Sequence, residues 1–172
     1  ELIYEQDEAK RIDTHMAAAV SMTDVDFVQE QLGYTGAGIR VAIIDTGVDY
    51  HHPDLGGCFG PNCRVEFGYD FVGDDFNPSN GVGPQPDNDP DDPKGHGTHV
   101  AGIVGASGVM TGVAPQATLG AYKIFGRAGP TTSDITVAAL ERAFTDNADV
   151  INASVGASFG WPTGPHGEAI DN

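Results

Sequence analysis

The stretch Ile39-Arg40-Val41-Ala42-Ile43-Ile44 is rich in β-branched residues and carries apolar residues at consecutive positions. A strand with one wet face alternates apolar and polar residues, so a strand that does not alternate must be covered on both sides. Such a strand belongs in a parallel sheet between two layers of helices. The rest of the chain offers those elements. Thr23–Leu32 reads as a short helix, with Thr23 as its cap and Gly33 as its stop. His96–Ala106 reads as a helix of small residues, and Leu119–Phe125 as a second strand. In Ser133–Asn147 the residues Ile135, Ala138, Ala139, Arg142 and Ala143 fall at helical spacing, and Asp149–Val155 reads as a last strand. The expected fold class is α/β: a parallel sheet with helices on both faces. Residues 1–21, charged and then alanine-rich, read as a leader, propeptide remnant or linker, and 22–172 as the N-terminal portion of a domain. Residues 73–95 contain six aspartates (Asp74, Asp75, Asp87, Asp89, Asp91 and Asp92) and five prolines, the composition of a surface loop.

Charge removes two classes of partner. With 25 Asp plus Glu against 8 Lys plus Arg, the formal net charge is −17, which repels nucleic acid and anionic membrane surfaces alike. No apolar run approaches the ~20 residues needed to span a bilayer. Cys58 and Cys63 flank Gly60-Pro61-Asn62, a turn-forming sequence that brings two sulfurs within bonding range. A loop-closing disulfide is favoured over two free thiols, and a single C-x₄-C pair makes a poor zinc site. These features together suit an extracellular protein.

Two residues stand where an α/β sheet places its chemistry. Asp45 follows the first strand directly, and ligands of such sheets meet the loops at the strands' carboxyl ends. His96 opens the small-residue helix between Gly95 and Gly97, where backbone and substrate can approach its ring. A histidine held rigidly there, with a carboxylate on its other nitrogen, meets the requirements of a general base. His99, one turn later, is expected to be buried and satisfied by backbone groups. The H-x-x-H spacing of His96 and His99 lacks the glutamate and the i, i+4 geometry of a zinc-protease helix, so no metal is assigned to them.

Taken together, Val41-Ala42-Ile43-Ile44-Asp45-Thr46-Gly47-Val48-Asp49 with His52-Pro53-Asp54-Leu55 resembles the aspartate motif of the subtilisin family. Gly95-His96-Gly97-Thr98-His99-Val100-Ala101-Gly102 resembles its histidine motif. Gly112-Val113-Ala114-Pro115 and Val150-Ile151-Asn152-Ala153-Ser154-Val155-Gly156 match two further blocks in the family's order. The segments Gly56–Cys63 and Phe67–Asp75 are similar to large extracellular subtilases of fungi. The resemblance implies a serine endopeptidase acting on polypeptides through an Asp-His-Ser triad, with Asp45 orienting His96 and His96 as proton carrier. It also implies two substrate-binding segments, Ser154-Val155-Gly156 and Gly129-Pro130-Thr131, on either side of an extended peptide.

Two departures from the family pattern bear on chemistry. The family's Gly-Thr-Ser motif is absent: Ser21, Ser79, Ser107, Ser133, Ser154 and Ser158 all lie in other contexts. The chain is therefore expected to be the first portion of a catalytic domain, inactive alone; the competing reading is a truncated, non-catalytic binding or decoy module. The family also commonly wraps a calcium ion in a loop before the Gly-Val-Ala-Pro block. Here only Ser107–Thr111 fill that place, too short for the wrap, although Asp54 matches a ligand position. The acidic run Asp87–Asp92 offers oxygen ligands but lacks the turn glycine and distal glutamate of an EF-hand loop. No cofactor is required by the implied reaction, and calcium is left as an unsupported structural option.

Overall fold

A computed structural model describes residues 18–156. Its centre is a four-stranded parallel sheet of β1 (Arg40–Asp45), β2 (Val65–Asp70), β3 (Thr118–Lys123) and β4 (Val150–Ala153), in the order β2-β3-β1-β4. The α-helices used below are α1 (Val25–Glu30), α2 (His96–Gly105) and α3 (Ser133–Thr145).

The absence of alternation in β1 has its cause in two apolar layers. Val41 and Ile43 point to one face, joining Val65, Leu119 and Ala121 beneath Ala101, Val100 and Val104 of α2. Ala42 and Ile44 point to the other, joining Tyr122 and Ile124 beneath Ile135, Ala139 and Ala143 of α3. Every residue of β1 after Arg40 is buried. The helices therefore lie on both faces, as expected for a doubly covered parallel sheet.

Several boundaries differ from the sequence reading. β3 ends at Lys123 rather than Phe125, α3 at Thr145 rather than Asn147, and β4 at Ala153 rather than Val155. In α3 the stop is local: Asn147 takes a left-handed φ of 59° that a helix cannot continue through. Thr23 does not cap α1. Its hydroxyl donates back to Ala19 O at 2.7 Å, and Asp24 occupies the cap position in a left-handed conformation without a side-chain bond. The helix ends at Glu30 with Gln31 as its C-cap rather than at Leu32, and Gly33 follows in a left-handed conformation with φ 74°. α1 buries none of its residues and is tied down through Gln29, whose amide donates to Gly112 O and Val113 O at 2.9 Å each.

β2 is an element the sequence reading missed. Its Val-Glu-Phe-Gly-Tyr-Asp alternates apolar and polar residues, but only Val65 and Asp70 are buried, and the pairing with β3 shifts between Val65 and Phe67. Gly68 is required there: a β-carbon would run into the Ala121 carbonyl, and its φ of 151° belongs to glycine. The loop after β2 is no loose surface segment throughout. Asp70 and Asp87 exchange backbone hydrogen bonds at 3.1 and 2.9 Å, and Val72 and Phe76 are buried in the α3-side core.

Candidate active site

Asp45 is the last residue of β1, and its side chain lies on the α2 face with those of Val41 and Ile43. His96 is the first residue of α2, entered through Gly95 at φ 93°. The carboxylate Oδ1 of Asp45 lies 2.6 Å from Nδ1 of His96 and also accepts the Thr46 N–H at 2.7 Å. Asp45 is 1 % exposed and the His96 side chain 55 % exposed, so the buried group faces the ring from behind while its outer edge meets solvent. A carboxylate can only accept, so Nδ1 carries the proton and Nε2 is left as an acceptor. The second carboxylate oxygen of Asp45 is buried and has no hydrogen-bond partner among the described residues.

This approach depends on glycine. A β-carbon on Gly97 would lie 2.1 Å from the Gly47 carbonyl oxygen and 3.0 Å from Asp45 Cβ. The first turn of α2 thus rests directly on the backbone that follows β1.

The free N–H groups at the start of α2 are satisfied by distant side chains, since Gly95 has none to offer. Gly97 N–H donates to Thr46 Oγ1 at 2.9 Å, and Thr98 N–H to Asp92 Oδ2 at 2.9 Å. The Thr98 hydroxyl donates to the same oxygen at 2.6 Å, and the Thr46 hydroxyl to Asp92 Oδ1 at 2.8 Å. Burial pushes the Asp92 carboxyl up, but these bonds from Thr98, with the Gly95 and Lys94 N–H groups, outweigh it and hold it below the usual carboxylate range. Sequence reading assigned Asp92 to a solvated acidic loop; its only local signal was a position four residues ahead of a helix lacking a capping side chain.

The sheet order sets the two expected substrate segments. β1 lies between β3 and β4, so Gly129-Pro130-Thr131, which follow β3, and Ser154-Val155-Gly156, which follow β4, leave the sheet at the same edge as Asp45 and on either side of it. Gly129, Pro130, Ser154 and Gly156 are exposed. Val155 instead packs partly into the α3-side core, and the Ser154 hydroxyl donates to Asn152 Oδ1 at 2.8 Å. Gly129 needs its φ of 100° and leaves no room for a β-carbon beside the Asn77 amide.

His99 contradicts its expected burial. It is exposed, because the apolar face of α2 is carried by Val100, Ala101 and Val104 and His99 falls off that arc. Cys58 and Cys63 are joined by a disulfide with a Cα–Cα distance of 5.6 Å, across a turn in which Asn62 takes φ 70°.

The acidic groups weighed as calcium ligands are engaged otherwise. Asp54 is buried, and its two oxygens accept the N–H groups of Val109 and Met110 at 3.0 Å each. Gly108 packs so closely that a β-carbon would collide with Asp54 Oδ1. Asp89 accepts the Tyr50 hydroxyl at 2.5 Å and Asp87 the Asp89 N–H at 2.8 Å. N–H donors thus occupy both oxygens of Asp54, where a calcium cage needs oxygen ligands around a free carboxylate, so Asp54 does not fit the ion. No cluster of three or more His, Cys, Asp or Glu suited to a metal occurs among the described residues.

Behind the site runs an ion-paired row on the same sheet edge. Lys123, paired in register with both Asp45 and Asp70, is 2 % exposed, contacts Asp70 Oδ2 at 3.1 Å and also pairs with Asp74. Asp74 reaches on to Arg127 at 2.7 Å, two residues before Gly129. Sequence reading placed Asp74 in the acidic loop and assigned no ion pair to any of these residues.

Comparison with known proteins identifies the family. Residues 36–172 match the model of the subtilase family, Peptidase S8. The chain is 49 % identical over 140 residues to the minor extracellular protease Vpr of Bacillus subtilis, covering 81 % of this chain and 16 % of that protein. It is 38 % identical over 132 residues to subtilisin E of the same species, covering 74 % of this chain and 29 % of that one. The crystal structure of the nisin leader peptidase NisP from Lactococcus lactis superposes with a TM-score of 0.67 at 29 % identity, covering 86 % of this chain and 45 % of that one. These relatives are bacterial, and the narrower similarity to fungal enzymes has no counterpart among them. The chain spans less than a third of the length of Vpr and of subtilisin E. On its family model and its identity with these proteases, the chain belongs to the subtilase family.

Proposed function

We propose that these residues form the aspartate and histidine arm of a serine endopeptidase, with the nucleophilic serine supplied by a part of the protein outside this sequence. The observation that carries the reading is the 2.6 Å contact between a buried carboxylate and an outward-facing imidazole. His96 Nε2 takes the proton of the serine hydroxyl as its oxygen attacks the peptide carbonyl. The same proton then passes to the leaving amine, and the acyl-enzyme forms. A water molecule then gives its proton to His96 and its hydroxyl to the acyl carbon; the acid is released as the bond to the serine oxygen breaks and that oxygen takes the proton back from His96. Asp45 fixes the tautomer and, with one oxygen buried and without a partner among the described residues, gains an opposing charge when the ring becomes imidazolium. The reaction uses side chains and water and requires no cofactor.

The substrate in this reading is a polypeptide laid between Gly129–Thr131 and Ser154–Gly156 by main-chain hydrogen bonds. Secretion is supported by the Cys58–Cys63 disulfide, by the net charge of −17 and by the extracellular relative Vpr. The same charge argues against nucleic acid and anionic membranes as partners. No helix among the described residues is long and apolar enough to cross a membrane.

The test uses the whole protein and a quenched fluorescent peptide library. His96→Ala is expected to lower kcat by about 10⁶-fold and Asp45→Ala by about 10⁴-fold, as for a triad acting as a unit. Hydrolysis at the unaltered rate in His96→Ala refutes the assignment.

A further inference from the structure

We propose that Asp92 is a positioning residue for the Asp45–His96 pair, a carboxylate brace that locks the start of α2 onto the end of β1; this rests on the proposed function. The argument begins from what the pair lacks. Asp45 is fixed by its strand, but His96 sits at the first position of a helix whose cap residue, Gly95, has no side chain. A frayed first turn would let the imidazole swing on the scale of an ångström, because the first N–H groups of a helix have no internal partners. Two side chains prevent it.

Asp92 reaches both halves of the site with its two oxygens. Oδ1 takes the hydroxyl of Thr46, the residue after Asp45, at 2.8 Å, and the Lys94 N–H at 3.0 Å. Oδ2 takes the N–H and the hydroxyl of Thr98, two residues after His96, at 2.9 and 2.6 Å. The circuit is closed by Gly97 N–H, which donates to Thr46 Oγ1 at 2.9 Å. Thr98 Oγ1 in turn accepts the Asp49 N–H at 2.8 Å, holding the turn that leaves Asp45. The residues joined are 46 and 6 positions apart in sequence from Asp92. One carboxylate thus carries the distance between strand end and helix start, and none of its bonds goes to His96 or Asp45 themselves.

A group with four short donors converging on two oxygens is pre-organised, and charge-assisted bonds of this kind are about twice as strong as neutral ones. Replacement by asparagine preserves shape but turns one acceptor into a donor facing donors. Replacement by alanine leaves the Thr98 N–H to water and frees the first turn.

The experiment measures whole-protein kcat and KM, the urea midpoint, and the far-downfield proton NMR resonance of a histidine N–H bound to a carboxylate. Asp92→Ala and Asp92→Asn are expected to lower kcat by about 10–10²-fold, as an ångström of misplacement does, with KM within about twofold. The downfield resonance is expected to broaden or vanish in both. Thr46→Val is expected to share the loss and Thr46→Ser to recover most of it, which keeps the test open if the Asp92 variants do not fold. A folded Asp92→Ala protein with unaltered kcat and an intact resonance overturns the brace, as does equal behaviour of Thr46→Val and Thr46→Ser. If the wild-type protein hydrolyses no peptide, the function falls while the resonance still decides the brace: its survival in Asp92→Ala refutes it and its loss supports it. If His96→Ala is dead and Asp92→Ala fully active, the brace alone falls.

Discussion

Gly97→Ala sets helix preference against tertiary contact within one methyl group. In an isolated helix the change would be favourable, since alanine exceeds glycine by about 1 kcal/mol in a helix interior and by less in a first turn. Here the new β-carbon would lie 2.1 Å from the Gly47 carbonyl oxygen. Carbon–oxygen contacts in proteins begin at about 3.3 Å, so the helix start must retreat by about 1 Å. Overpacking of this kind costs about 1–3 kcal/mol, which exceeds the propensity gain. The same retreat stretches the 2.6 Å contact of His96 with Asp45 to about 3.6 Å, beyond hydrogen-bond reach. Urea unfolding of the whole protein should therefore show a loss of about 1–2 kcal/mol, and kcat should fall by about 10²-fold. Gly102→Ala is the matched control: its β-carbon would meet only the end of the Met110 side chain, at 3.5 Å, an ordinary contact. There propensity should prevail, with stability unchanged or raised by up to about 1 kcal/mol. If Gly97→Ala is as stable and active as wild type, or if the two substitutions behave alike, the claim that glycine sets the Asp45–His96 approach is wrong.

Asp54 provides a pH test. Its carboxyl is held below the usual aspartate range, first by the Met110 N–H and then by that of Val109, against burial. A lowered folded value means that the stabilisation is complete above about pH 4, the ordinary aspartate value, and is lost as pH falls through the folded value. Asp54→Ala should cost about 1–3 kcal/mol at pH 7 through unsatisfied N–H groups, and its acid unfolding should lack that component. A stability difference from wild type that stays constant from pH 7 down to 2 would exclude the mechanism. Lys123→Met leaves the buried Asp70 without its cation and should destabilise by about 3–5 kcal/mol in urea, with partial recovery in Lys123→Met/Asp70→Asn. A single substitution within about 0.5 kcal/mol of wild type would show that the pair is not held as described.

What local pattern could reveal, it did. The unbroken apolar run of β1, the small-residue helix and the spaced apolar positions of α3 are short-range signals, and they identified the α/β class and the strand end and helix start where Asp45 and His96 stand. Turn chemistry likewise pointed to the Cys58–Cys63 loop. Tertiary structure alone decided the rest. β2 carries an apolar/polar alternation in sequence, Val65-Glu66-Phe67-Gly68-Tyr69-Asp70, but its bulge at Val65/Phe67 and its pairing with β3 are set only by the fold, and its burial does not alternate. The exposure of His99 depends on which arc of α2 faces the sheet, a choice made by packing. Asp92 and Lys123 looked like ordinary charges and Asp54 like a calcium ligand because their partners lie far along the chain: Thr46 for Asp92, Asp70 and Asp74 for Lys123, Val109 and Met110 for Asp54. Burial periodicity is written into neighbouring residues and survives in sequence. Donor–acceptor pairing across tens of residues is created only when the sheet and helices bring those groups together, and there it sets both the charge and the rigidity of the site.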